Sequence, residues 1–218
     1  MNYNFIGSGN NTMKNLFLDN YMNIIINNNS NLTQEQIEKY RYGIEGIYLT
    51  ITKLIIIFFL GIILGIIKEV FLLLLFFNIL RFFGFGYHAK SSIECLIISI
   101  TFFVLLPFLV SKELLVFKYK IVIISLCLLN FFIFAPSDTK KRPLVNKRKR
   151  LIRKGLLLLV SLIYSIVILN YSNNISSFII LSLLIEAIMV NPATYKLFGQ
   201  PYNNYKNYQI SIKYQNDI

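Results

Sequence analysis

The chain holds one histidine, His88, and two cysteines, Cys95 and Cys127, and His88 stands seven residues before Cys95. A thiol served by an imidazole is a minimal set for nucleophilic acyl transfer. The thiolate attacks a carbonyl, and the imidazolium then protonates the leaving group. Two cysteines set no disulfide framework, and one histidine leaves a His/Cys zinc site hard to complete. No metal and no cofactor are expected.

The environment decides whether a thiol reacts. Ser91 or Ser92 can cap a helix, and with Ser92 as the cap Cys95 falls in its first turn, where unsatisfied amides and the helix dipole favour a thiolate. Cys127 lies deep in an apolar run, where a thiol stays protonated and inert. Residues seven apart on one continuous helix are about 10 Å apart along its axis, too far for proton transfer. His88 must therefore lie in a non-helical loop and fold back, which Gly84 and Gly86 permit. Asn78, Glu94, Asn130 and Asp138 are the polar residues able to approach such a pair. The competing reading is an interfacial histidine and a cysteine packed as a small hydrophobe.

The elements that must position this loop are membrane helices. Hydrophobic residues make up 56% of 218, charged residues 15%, and the mean hydropathy is +0.59. That is too little charge to cover a soluble globule, so a simple soluble enzyme, a disordered chain and a disulfide-stapled secreted domain fit poorly. The expected class is an all-α polytopic membrane protein. Six apolar runs lie at about 44–67, 69–83 (short or re-entrant), 92–110, 119–135, 155–170 and 175–190. Pro107, Pro136 and Pro192 are expected to mark ends of the third, fourth and sixth. Thr33 with Gln36 reads as a capping box opening the first helix. Residues 13–27 read as an interfacial helix with Leu16, Phe17, Tyr21, Ile24 and Ile25 on one side. No secretory signal peptide is visible in 1–31. The expected organisation is an N-terminal segment 1–43, a membrane domain 44–190 and a tail 191–218. Gly61 and Gly65, a small-xxx-small pair, admit a homodimer.

The net charge of +12 is one-sided. With six spans and both termini inside, 17 of 22 Lys and Arg fall on the cytoplasmic side, against four outside. The loop 136–154 alone carries nine basic residues and Asp138. It can bind anionic lipid or an acidic peptide; nucleic acid is not expected as a partner. Arg81 can hold an anion or snorkel to the interface. Lys53 and Glu186 are both within spans and can pair. The charges leave a small membrane transporter or channel, or a scaffold with a one-sided basic loop, as the alternative to an enzyme.

Two motifs sharpen the choice. Arg81-Phe-Phe-Gly-Phe-Gly86-Tyr-His88-Ala-Lys-Ser-Ser-Ile-Glu-Cys95 resembles the accessory gene regulator B family, membrane cysteine endopeptidases of Gram-positive quorum sensing. Ala135-Pro136-Ser-Asp-Thr139-Lys140-Lys141-Arg142-Pro143 is similar to a second motif of that family, in the expected order, with a further lysine replaced by Arg142. The hydropathy pattern agrees from about 33 to 195. The resemblance implies that Cys95 is the nucleophile and His88 the general base and acid. It also implies that Arg81 and Gly86 support activity and that Lys140, Lys141 and Arg142 form a functional basic stretch. The implied substrate is an AgrD-like precursor with an amphipathic leader, a signal segment and an acidic C-terminal tail. Tail removal and closure to a thiolactone or lactone are the implied reaction.

Overall fold

The computed structural model describes residues 13–29, 32–89, 91–112, 119–139, 143–171, 174–206 and 208. Among these residues the chain is helical without a named strand, as expected; one isolated parallel bridge pairs Phe85 with Ser137. Lys90, Lys140, Lys141 and Arg142 lie outside the described residues. The chain divides into two compact units, Met1–Ile56 and Ile57–Ile218.

The first unit holds α1 (Met13–Asn28) and most of α2 (Gln34–Ile63). The Thr33 amide donates to Gln36 Oε1 at 2.9 Å and the Gln36 amide to Thr33 Oγ1 at 3.3 Å, the expected reciprocal cap. Helix α2 runs unbroken across the expected boundary at 43–44. In α1 the buried pair is Leu18 and Met22, four residues apart, while Leu16, Tyr21 and Ile24 stay exposed. The sequence stripe is thus largely an outward apolar face. Lys14–Glu45 (2.7 Å) and Arg41–Asp19 (3.4 Å) join α1 to α2.

In the second unit, α2 ends in a Schellman turn. Gly65 takes φ +69°, and the Ile66 amide reaches back to the Gly61 carbonyl at 2.8 Å. A Cβ on Gly61 would press on Val70 at 3.3 Å. Both glycines of the small-residue pair therefore have work within the chain, reversing it into α3 (Ile67–Gly84). Next come α4 (Ser92–Ile100), a π-helical turn (Thr101–Leu105) and α5 (Leu106–Ser111), one helical run. Pro107 does not end that run, contrary to expectation. Proline has no N–H for the ladder, and the adjacent turn widens so that the Leu106 amide bonds Thr101 O. Pro136 and Pro192 do follow helix ends, of α6 (Lys120–Phe134) and α8 (Asn174–Val190). Helix α7 (Lys147–Asn170), capped by the Asn146 side chain on the Lys149 amide, starts eight residues before its apolar run. The last eight of the nineteen residues of the expected basic loop are therefore helical. Pro192 then opens the short α9 (Pro192–Leu197).

Helix α8 is the hub, with α3, α6 and α7 packed around it. Ile180, Leu183, Ile185 and Val190 are buried with Leu80, Phe131, Leu157 and Ile168. Buried serines of α7 bond their own helix: Ser161 to Leu157 O and Ser165 to Ser161 O. The outward faces are apolar, with Phe59, Ile62, Leu126, Phe132, Leu159 and Ile166 more than half exposed. Such faces suit lipid rather than water. Among the described residues, three helices are long and apolar enough to cross a membrane: Gln34–Ile63, Ser92–Ser111 and Lys147–Asn170. Lys120–Phe134 and Asn174–Val190 are shorter and apolar.

Candidate active site

The two sequence motifs meet at the junction of α3, α6 and α8. Helix α3 closes on Gly84, and the chain continues without regular structure through 85–89. The Ser137 amide bonds Gly84 O at 3.0 Å, and the Gly86 amide bonds Ser137 O at 2.8 Å. This two-bond stitch fastens the 81–95 motif to the 135–143 motif. The Tyr87 amide then bonds Met189 O at 2.8 Å, and Ser137 Oγ bonds Val190 O at 2.6 Å, tying both to the end of α8.

Arg81 organises the turn from inside. It lies one helical turn before Phe85, and its guanidinium donates to the carbonyls of Phe85, Gly86 and Tyr87. Its charge faces Glu186, which is fully buried, at 3.7 Å. The cation beside Glu186 is Arg81. The Glu186 oxygens accept no hydrogen bond among the described residues, so the pair rests on charge. Two glycines make the room. A Cβ on Gly84 would collide with Glu186 Oε1, and one on Gly86 with Arg81 Nη1 and, at 2.7 Å, with Met189 O.

His88 is exposed in the non-helical stretch, and Cys95 is half-buried on the first turns of α4. The straight helix that would hold the two apart is not formed. The cap is Ser91, whose hydroxyl accepts from the Glu94 amide at 3.1 Å, while the Cys95 amide bonds Ser91 O at 3.0 Å. Cys95 therefore stands one position deeper than with Ser92 as the cap, at the fourth helical residue. Cys127 is buried in α6, in the apolar setting expected of it.

Of the polar residues considered for orienting His88, Asp138, Asn78 and Glu94 make hydrogen bonds of their own. Asp138 accepts from the amides of Asn204 (2.9 Å), Tyr205 (2.7 Å) and Leu144 (3.1 Å), so it gathers the chain on either side. Asn78 donates to Leu74 O within α3. Asn130 Oδ1 is buried without a hydrogen bond among the described residues, beside Cys127, Ala187 and Thr194, in a groove of about 360 Å³. Glu94 Oε1 accepts the Tyr87 hydroxyl.

Sequence reasoning did not single out Tyr87, Tyr195 or Asn204. Tyr195 is buried, and its hydroxyl reaches Ser137 O (3.3 Å) and Asp138 O (3.1 Å). The signal was the run Tyr195, Tyr202, Tyr205, Tyr208 just beyond Pro192, aromatic bodies with polar tips suited to an interface. Burial pushes the Tyr87 phenol above its usual range, and the Glu94 hydrogen bond and charge and the Cys95 charge push the same way. Burial likewise raises Tyr195 and Tyr202. These phenols stay neutral donors at physiological pH.

The model of the family described as Accessory gene regulator B matches residues 19–190. An AgrB-like protein of Clostridium acetobutylicum is 38% identical over 85% of this chain and 90% of its own length. An AgrB-like protein of Listeria innocua is 32% identical over 78% of this chain and 84% of its own. Accessory gene regulator protein B of Staphylococcus aureus is 30% identical over 75% and 87%. No solved structure matches the chain.

Proposed function

This chain belongs to the accessory gene regulator B family, and from that premise we propose that it is a membrane cysteine endopeptidase. It cuts the acidic tail from an AgrD-like precursor peptide and supports closure of the remainder into a cyclic autoinducer. The observation that carries the reading is local. His88 lies in a non-helical segment pinned by the Gly86 and Tyr87 amides, and four residues after Gly86–His88 the chain enters the capped turn that bears Cys95.

In this mechanism His88 takes the proton of Cys95, and Sγ attacks the carbonyl carbon at the end of the signal segment. Ser91 occupies the amides of Glu94 and Cys95, leaving those of Ser92 and Ile93 as the oxyanion donors. The carbon–nitrogen bond breaks, His88 protonates the departing amine, and the tail leaves a thioester on Cys95. A Cys or Ser side chain of the same peptide then attacks that thioester, and the ring closes as Cys95 is released. Exchange of one thioester for another is nearly isoenergetic, so holding the ends together supplies most of what is needed.

Orientation belongs to the same proposal: six membrane segments, both termini cytoplasmic, and the His88 loop at the cytoplasmic side, from the bias of 17 basic residues against four. Lys140, Lys141 and Arg142 then hold the acidic tail, with anionic lipid around the rest of the 136–154 segment.

The test is incubation of the purified protein with a synthetic acidic-tailed precursor, read by mass spectrometry. A Cys95 acyl adduct and a cyclic product are expected. Cys95→Ala and His88→Ala should abolish cleavage while inserting normally into the membrane. Unaltered processing by Cys95→Ala would sink the enzyme reading.

A further inference from the structure

Tyr87 and Glu94 each stand immediately before a residue of the proposed dyad, His88 and Cys95. Tyr87 is fixed from three sides. Its amide bonds Met189 O at 2.8 Å, its ring stacks on Phe198 at 4.8 Å, and Tyr195 meets that ring edge-on at 6.0 Å. Only 3% of its surface is exposed. Glu94 is the third residue of α4, held there by its own amide on Ser91 Oγ. The Tyr87 hydroxyl donates to Glu94 Oε1, closing a ring of eight residues. Between these two anchors His88, Ser91 and Ser92 lie at the surface.

We propose that the Tyr87–Glu94 hydrogen bond is a clamp that sets His88 against Cys95. Tyr87 and Glu94 are positioning residues, acting on the thiol through His88. The proposal rests on reading His88 and Cys95 as a dyad. It goes further by saying what gives the dyad its geometry. Residues seven apart do not meet through local structure; a bond between their neighbours brings the two ends of the loop to one place. The burial and stacking of Tyr87 fix that place relative to α8 and α9. A bond from a neutral phenol to a carboxylate is of the charge-assisted kind, stronger than an ordinary hydrogen bond.

The experiment follows alkylation of Cys95 by iodoacetamide in the full-length protein in detergent, with mass spectrometry of the Cys95 peptide, so that Cys127 does not interfere. His88→Ala sets the benchmark, the rate without an imidazole partner. Tyr87→Phe, which keeps the stacked ring, should slow alkylation about tenfold, toward that benchmark. The double variant should be no slower than His88→Ala alone, because the clamp works through His88. Glu94→Gln, which keeps an acceptor, should retain most of the wild-type rate; Glu94→Ala should match Tyr87→Phe. Wild-type alkylation in both Tyr87→Phe and Glu94→Ala, with His88→Ala slow, would overturn the clamp and leave the dyad standing. A double variant slower than His88→Ala would also overturn it, since Tyr87 would then act on folding rather than through His88. A wild-type rate in His88→Ala would instead bring down the dyad beneath it.

Discussion

At Gly86 the backbone takes φ +104°, and a Cβ would strike Arg81 Nη1 and lie 2.7 Å from Met189 O. The first obstacle is the end of a side chain, but the second is backbone at the end of α8 and has little freedom to move. Gly86→Ala should therefore break the Gly86–Ser137 and Tyr87–Met189 bonds, at a cost of about 2 kcal/mol or more in local stability. Lower thermal stability in detergent and loss of precursor cleavage are the expected readings. Gly155→Ala is the control. That glycine lies in α7 with nothing within 4 Å of an added Cβ, so the change should be neutral or stabilising by up to about 1 kcal/mol. Equal behaviour of the two variants would show that the 85–89 turn does not depend on this position.

Between elements, α3 and α8 share both the Arg81–Glu186 pair and the largest part of the packing. Removing one member of a buried pair strands the other charge, at about 3–5 kcal/mol, whereas removing both for apolar side chains is often neutral. Arg81→Ala should accordingly lower the unfolding temperature sharply, and Arg81→Ala with Glu186→Leu should recover most of it. Activity should not recover, because the carbonyls of Phe85, Gly86 and Tyr87 lose their common donor in both variants. A double variant as unstable as the single would mean that Glu186 is not held by Arg81. The same scale shows what the sequence could reveal. The apolar runs, the Thr33–Gln36 cap and the stops before Pro136 and Pro192 are local signals, and each has its helix. Pro107 misleads because a π-helical turn absorbs it. The stitch between Gly84–Gly86 and Ser137 was out of reach, since backbone bonds between residues some fifty apart leave no periodicity. Arg81 was legible as an anion holder or an interfacial snorkel, but its gathering of three carbonyls against a buried carboxylate was not.

Over the whole molecule, nine of the 22 Lys and Arg stand in 136–154 and call for an anion. Helix α7 begins Lys147-Arg148-Lys149-Arg150, four cations at the positive end of a helix dipole with no acidic residue in the first turn. That arrangement is unfavourable by itself and becomes favourable against an anion. Arg150 lies over the Tyr205 ring at 3.4 Å, and Arg153 over Phe85 at 4.4 Å while donating to Phe82 O at 2.6 Å. The basic face of α7 therefore borders the loop that carries His88. Lipid phosphate and an acidic peptide tail both meet the electrostatic need, but they differ in what a variant does. Replacing Lys140, Lys141 and Arg142 by Gln removes three charges and leaves those of α7. If the stretch holds the tail, the variant should bind an acidic-tailed peptide in uncharged detergent about tenfold more weakly at low salt. The gap should narrow as salt rises, because screening removes from the wild type what the variant already lacks. Peptide affinity equal to the wild type at low salt would assign these residues to lipid and orientation alone, and leave tail recognition to the α7 cations beside the loop that carries His88.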